Sequence, residues 1–199
     1  MTAHSLFDPS RAAVLNMDMQ AGIVSAYAKD QEGFPDRAAS VLARARELGM
    51  LVIHIKVGFR KGLPEVSSRN PLFGAIKTSE KHQRLFEGDL GAIHPSLGPA
   101  PDDIVITKHR VSAFTGTDLD MILRATEIDT LVLFGIATSG VVLSTLVEAA
   151  DRDYRLIVIK DCCVDLDADL HRTLIENFFP KRGKVISTSE FLAAEKLGE

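Results

Sequence analysis

Tryptophan is absent from this chain, and cysteine nearly so, with Cys162 and Cys163 the only two in 199 residues. Two adjacent cysteines cannot staple a fold and have no partners at metal-binding spacing, so neither a disulfide framework nor a zinc site is expected. A basic surplus is also missing. Lys and Arg number 23 against 27 Asp and Glu, a net charge of −4 that argues against nucleic acid as a partner. No apolar run approaches the ~20 residues a membrane helix needs. The opening stretch MTAHSLFDPSRAAV has no basic segment followed by an apolar one, so no signal peptide is read from it. These absences lead to the expectation of a soluble, cytoplasmic protein with no membrane partner. Hydrophobic residues at 46% and charged residues at 25% are close to globular averages, so disorder is excluded and a single domain over residues 1–199 is expected.

Short apolar runs alternate with amphipathic segments along the whole chain. The runs are Ala12–Asp18, Leu51–Val57, Asp103–Lys108, Thr130–Gly135, Arg155–Lys160 and Lys184–Ser187. They are rich in Val and Ile and mostly continuous, as strands read when both faces are buried in a parallel sheet. Helical patterns fall between them at Arg37–Leu48 (closed by Gly49), Asp118–Thr126, Val141–Arg152, Leu170–Phe179 (closed by Pro180) and after the capping box Ser187-x-x-Glu190. Alternation of this kind predicts an α/β fold: a Rossmann-like sheet with right-handed crossovers and helices on both faces. The segment 58–101 breaks the rhythm. It holds Pro64, Pro71, Pro95, Pro99 and Pro101 and reads as a long functional excursion with one helix near Thr78–Phe86.

In an open α/β sheet, ligands bind beyond the carboxyl ends of the strands. That rule selects Asp18 after the first strand, Gly58-Phe59-Arg60 after the second, and Lys108-His109-Arg110 at the end of the third. After the fourth it selects Gly135-Ile136-Ala137-Thr138-Ser139-Gly140-Val141. Asp18 and Lys108 read either as an acid/base couple with mutually tuned pKa values or as a structural ion pair. The Gly135–Val141 turn reads either as a helix start that cradles an anion or oxyanion, or as a tight turn that needs small residues. It is neither a GxGxxG fingerprint nor a Walker loop.

Together these elements resemble the isochorismatase-like hydrolases, which include isochorismatases, nicotinamidases and various amidohydrolases. The resemblance runs from about Arg11 to Leu192. It rests on Asp18-Met19-Gln20, on Lys108-His109-Arg110-Val111-Ser112-Ala113-Phe114-x-Gly116-Thr117, and on Gly135-Ile136-Ala137-Thr138-Ser139-Gly140. Asp161 followed by Asp165 and His171 resembles the family's closing segment. The resemblance implies a three-layer fold around a six-stranded parallel sheet, and a dimer or tetramer as the assembly. It makes Asp18 and Lys108 two members of an Asp–Lys–Cys triad, with the backbone N–H groups of Ala137 and Val141 as the oxyanion site. It also implies a non-proline cis peptide at Ile136–Ala137.

The nucleophile position departs from the family pattern. It is Val141, which excludes thioester chemistry there. Isochorismatases also lack the cysteine, and the family mechanism for them is vinyl-ether cleavage with the Asp as general acid and water as nucleophile. They carry a glutamine near the end of the second strand, where this chain has Val57. The acidic-and-histidine metal cluster of nicotinamidases is absent, so no metal and no cofactor is expected, and His54 reads as a lone core histidine. Cys162 and Cys163 follow the fifth strand and read as buried and inert.

Arg60, Lys61, Arg69, Lys108 and Arg110 flank the expected pocket, which suits an anionic substrate. Arg60 and Arg110 are the better ligand candidates; Lys61 and Arg69 read as solvent-facing. Phe59, Phe73 and Phe114 read as apolar walls or as loop packing, and Thr138 and Ser139 as ligand hydrogen-bonders or helix caps. Three functions follow. The first is a cysteine-free hydrolase in which Asp18 and Lys108 work with water on a small anionic molecule. The second is an inactive binding protein of the same fold. The third is a flavodoxin-like nucleotide binder, against which the lack of a phosphate loop weighs.

Overall fold

The computed structural model describes residues 7–194. Its first strand, β1 (Ala12–Met17), is buried at all six positions, as a continuous apolar run requires at the centre of a doubly covered sheet. From it the chain forms α1 (Ala21–Tyr27) and α2 (Phe34–Glu47) and returns as β2 (Leu51–Val57). Helix α2 carries Pro35 in its first turn and buries Phe34, Ala38, Val41, Leu42 and Ala45. Gly49 follows its end in the left-handed region, at φ +76. The excursion then runs through α3 (Pro71–Lys77), α4 (Glu80–Gln83) and α5 (Gly88–Gly91) to the edge strand β3 (Ile104–Lys108). After it come α6 (Leu119–Ala125), β4 (Thr130–Ile136), a wide helical turn at Thr138–Val142, α7 (Leu143–Ala150) and β5 (Arg155–Val164). The chain ends with α8 (Ala168–Thr173), β6 (Lys184–Ile186) and α9 (Thr188–Leu192), the last opened by the Ser187/Glu190 capping box.

All strands are parallel, in the order β3-β2-β1-β4-β5-β6. The chain winds outward from β1 through β2 to β3, then crosses back to the other side of β1. Right-handed crossovers in opposite directions place helices on both faces and open a crevice at the carboxyl ends of β1 and β4. At that point Met17 pairs with Gly135. Gly135 has φ +147, and a Cβ there would overlap the Met17 carbonyl oxygen. Only glycine lets the two central strands approach this closely beside the site.

Several elements depart from the sequence expectation. The excursion holds three short helices rather than one, and α1 was not expected; segments of four to seven residues are too short to show a period. The pattern expected over Val141–Arg152 divides into the wide turn and α7, and that over Leu170–Phe179 into α8, a wide turn at Leu174–Phe178 and a 3-10 turn containing Pro180. Strand β5 runs on to Val164, so Cys162 and Cys163 lie within it rather than after it. It pairs with β4 as far as Val158 and with β6 over Ile157–Ile159, and rejoins β4 at Cys163. His54 is fully buried but not alone. Its Nδ1 lies 2.8 Å from Asn16 Nδ2 and its Nε2 lies 3.1 Å from Asp103 Oδ2. Asp103 is held in turn by Arg46. Among the described residues no helix is long and apolar enough to cross a membrane.

Candidate active site

Asp18 is the first residue beyond β1. Its φ is +56, a left-handed conformation that aspartate tolerates better than most side chains, and its N–H donates to Ile55 O at 2.8 Å. Lys108 is the last residue of β3, two strands away, a backbone separation of about 10 Å. The long lysine side chain spans the end of β2, and its Nζ reaches Asp18 Oδ2 at 2.8 Å. The same ammonium donates to Arg110 O at 3.0 Å. Both residues are buried, at 5% and 1% exposure. Burial pushes the Asp18 carboxyl above its ordinary range, against the opposing pull of the Lys108 charge and hydrogen bond. The other carboxyl oxygen, Oδ1, is buried without a hydrogen-bond partner among the described residues. A buried polar atom left unsatisfied is costly.

Across the crevice the chain turns from β4 into α7. The Ile136–Ala137 peptide is cis. Gly140 has non-helical angles (φ −95, ψ −106), and the N–H groups of Gly140 and Val142 both donate to Ala137 O, at 3.1 and 3.3 Å. The Thr138–Ser139 segment is fixed from outside. Ser139 N donates to Asp165 Oδ2 at 2.7 Å, and Thr138 Oγ1 lies 2.8 Å from His171 Nδ1. Burial lowers the His171 pKa, against the charge of Asp165, so the ring holds Thr138 as a neutral imidazole near neutral pH. Val141 is buried at 2% exposure. It shares a helical stripe with Thr145 and Glu148, at offsets of four and seven. Thr145 Oγ1 accepts from Ala113 N at 3.0 Å, and Glu148 Oε2 accepts from Ser112 Oγ at 2.5 Å. The loop after Lys108 and the turn carrying Val141 are therefore bolted together.

The flanking residues fall into two groups. Arg60 is largely exposed near Glu65 and His109. Arg110 is turned inward: it donates to His109 O at 2.6 Å and Glu65 O at 2.8 Å and lies over the Phe73 ring. It braces the loop that follows Lys108. Phe114, which reads from the sequence as an apolar wall or as loop packing, is buried in the core against Tyr154 and beneath Arg152. Phe59 meets Phe73 and Phe86 edge to face, while Lys61 and Arg69 are exposed. Asp161 serves α9, accepting from Thr188 N at 2.7 Å. Cys162 is buried against Thr188 with its pKa pushed up to about 12, and burial raises Cys163 as well.

Sequence reasoning quoted Gln20 in the first motif but gave it no role; it is fully buried. Its side chain accepts from Val57 N at 2.8 Å and donates to Val57 O at 3.0 Å and Gly91 O at 2.9 Å. It thus closes the end of β2 and pins α5 beside Asp18. Glu65, Thr145 and Glu148 were also missed. The offset of Thr145 and Glu148 from Val141 was a readable signal; the carbonyl partners of Gln20 were not.

A doubly wound parallel sheet with a buried carboxylate–ammonium pair beside a sharp strand-to-helix turn at its switch point defines an α/β protein with a candidate site at the carboxyl ends of its strands. The Isochorismatase domain model matches residues 12–190. The chain belongs to the isochorismatase family. It is 28% identical to maleamate amidohydrolase of Pseudomonas putida, over 90% of this chain and 84% of that protein. It is 34% identical to ureidoacrylate amidohydrolase RutB of Methylorubrum extorquens, over 78% and 70%. An isochorismatase family protein from Burkholderia thailandensis superposes with a TM-score of 0.80 at 29% identity, covering 96% of this chain and 98% of that one. Members of the family are hydrolases, amidohydrolases among them.

Proposed function

We propose that the protein hydrolyses a small anionic molecule, most simply an amide that also carries a free carboxylate, with Asp18 and Lys108 acting on water rather than through a cysteine. The observation that carries this reading is the state of Asp18. One oxygen is held by Lys108 at 2.8 Å, while the other is buried and unpartnered on a carboxyl whose pKa is raised. Such a group can accept a proton from water and return it, which a carboxylate saturated with hydrogen bonds cannot do. Water adds to the amide carbonyl as Asp18 takes its proton. The backbone N–H groups of Ala137 and Val141 face the developing oxyanion, and Lys108 holds Asp18 in place. The carbon–nitrogen bond then breaks, Asp18 gives the proton to the leaving nitrogen, and a carboxylic acid and an amine are released. The amidohydrolase relatives support the choice of bond, and vinyl-ether cleavage by the same acid is the other chemistry the pair permits.

Val141 favours a second reading, a binding protein without turnover, because an apolar buried side chain stands where the thiol stands in cysteine-using relatives. A panel of carboxylate amides, including maleamate, assayed for ammonia release, with isochorismate assayed for pyruvate, separates the two. Release by the wild type and its loss in Asp18→Asn are expected. Ligand-induced thermal stabilisation with no release from any compound would favour the second reading.

A further inference from the structure

A cleft of about 540 Å³ opens beside the carboxyl end of β2, between the loop that follows it and the α3–α4 segment. Its floor is aromatic: Phe59 and Phe86 meet edge to face with ring centroids 5.4 Å apart. Arg60, Lys61 and Lys77 line it, against one acid, Glu87. This is a local positive surplus in a chain of net charge −4. The head of Lys77 is fixed on the carbonyl oxygens of Leu63 and Val66, at 3.2 and 3.1 Å, so it contributes charge from a set position. Arg60 is open to solvent: its side chain is 66% exposed, and it makes one long ion pair, with Glu65 at 3.7 Å. One of its nitrogens lies 3.5 Å from Nε2 of His109, the residue after Lys108. Arg60 is three residues beyond Val57, the register partner of Lys108, so at most about 11 Å of chain separates it from the catalytic strand ends.

We infer that this cleft is a binding subsite for amphipathic organic anions, with the apolar body on Phe59 and Phe86 and the carboxylate met by Arg60 and Lys61. The volume lies in the range of small-molecule sites, and the pairing of an aromatic floor with a cationic rim selects for charge and shape together. The assignment of the bound group as the substrate's anionic end rests on the hydrolase reading; the binding itself does not need turnover.

Calorimetry on the full chain with phenylpropanoate, against the corresponding alcohol and amine, tests it. The carboxylate binds, and the alcohol and amine bind at least about tenfold more weakly. Arg60→Glu weakens the carboxylate about tenfold or more, Phe86→Ala also weakens it, and Glu87→Gln tightens it. Added salt weakens it as well, because the rim is exposed. Asp18→Asn leaves it within about twofold, since the cleft does not include that residue. Equal binding of the alcohol or amine, indifference to Arg60→Glu, or loss of binding in Asp18→Asn alone would overturn the subsite. No carboxylate binding in a protein that hydrolyses amides would overturn the subsite and spare the hydrolase reading. Binding as described with no hydrolysis of any amide would sink the hydrolase reading and spare the subsite.

Discussion

Replacing Lys108 by methionine removes the ammonium while keeping most of the side chain's length and volume, so it isolates the charge. Lys108 is at 1% exposure with its Nζ 2.8 Å from Asp18, and removing one partner of a buried pair costs about 3–5 kcal/mol. The cost depends on pH. Burial already raises the Asp18 pKa, and both effects of Lys108, its charge and its hydrogen bond, act to lower it. Without them the folded-state pKa rises further, each unit corresponding to about 1.4 kcal/mol. A carboxyl with a raised folded pKa contributes stability that is full below its unfolded pKa, near 4, and is lost as pH rises through the folded value. Lys108→Met is therefore penalised most at about pH 8 and much less at about pH 5, where Asp18 can take up a proton. Adding Asp18→Asn should recover most of the loss at high pH, because no charge is left buried. Urea unfolding of the wild type, both single variants and the double variant at the two pH values reads this directly. Equal penalties at both pH values, or a double variant no more stable at high pH than Lys108→Met, would refute the reasoning.

Other expectations follow from the same geometry. Asp18→Asn should lower turnover of any hydrolysed substrate by about 10²–10⁴-fold, as loss of an acid/base group does, in a steady-state assay. Gly135→Ala forces a Cβ onto Met17 O and should cost about 1–3 kcal/mol or more, seen as a lower melting temperature. Burial depresses the His54 pKa first of all, with Asp103 opposing, so its contribution to stability is present above the unfolded pKa near 6.5 and lost as pH falls through the lowered folded value. A ring titration by NMR should find it below the range of an exposed histidine. Cys162, pushed up to about 12, and Cys163 should resist iodoacetamide in the folded protein and react after denaturation, as mass spectrometry would record.

The parts of this molecule that were legible in the sequence are those governed by local rules. Six apolar runs, mostly continuous, marked a doubly covered parallel sheet, and the strand-end rule alone selected Asp18, Lys108 and the 135–141 turn. Side-chain destinations were less legible. Phe114 stands in a loop, where an aromatic residue could line a pocket, but Tyr154 and Arg152 draw it into the core. Arg110 reads from the sequence as a ligand candidate, and its two bonds to carbonyl oxygens of the loop have no local signal. Gln20 binds Gly91 across 71 positions, a contact no local pattern encodes. The extension of β5 through Cys162 and Cys163 depends on β4, whose Gly135 and Ile136 pair with Cys163 and Val164 after a register shift, which makes it a property of the assembled sheet. Val141 was visible from the start, and its neighbours Thr145 and Glu148 show why its position matters: they fix the turn it occupies to the loop that follows Lys108.

The central claim is the proposal that Asp18 and water carry out hydrolysis without a cysteine. Ammonia release from the carboxylate-amide panel, measured side by side for the wild type and Asp18→Asn with intact-mass spectra taken during turnover, tests it most directly. The account predicts release by the wild type, loss by about 10²-fold or more in the variant, and no acyl adduct on the protein. Release that persists in Asp18→Asn, or an adduct accumulating during turnover, would contradict it.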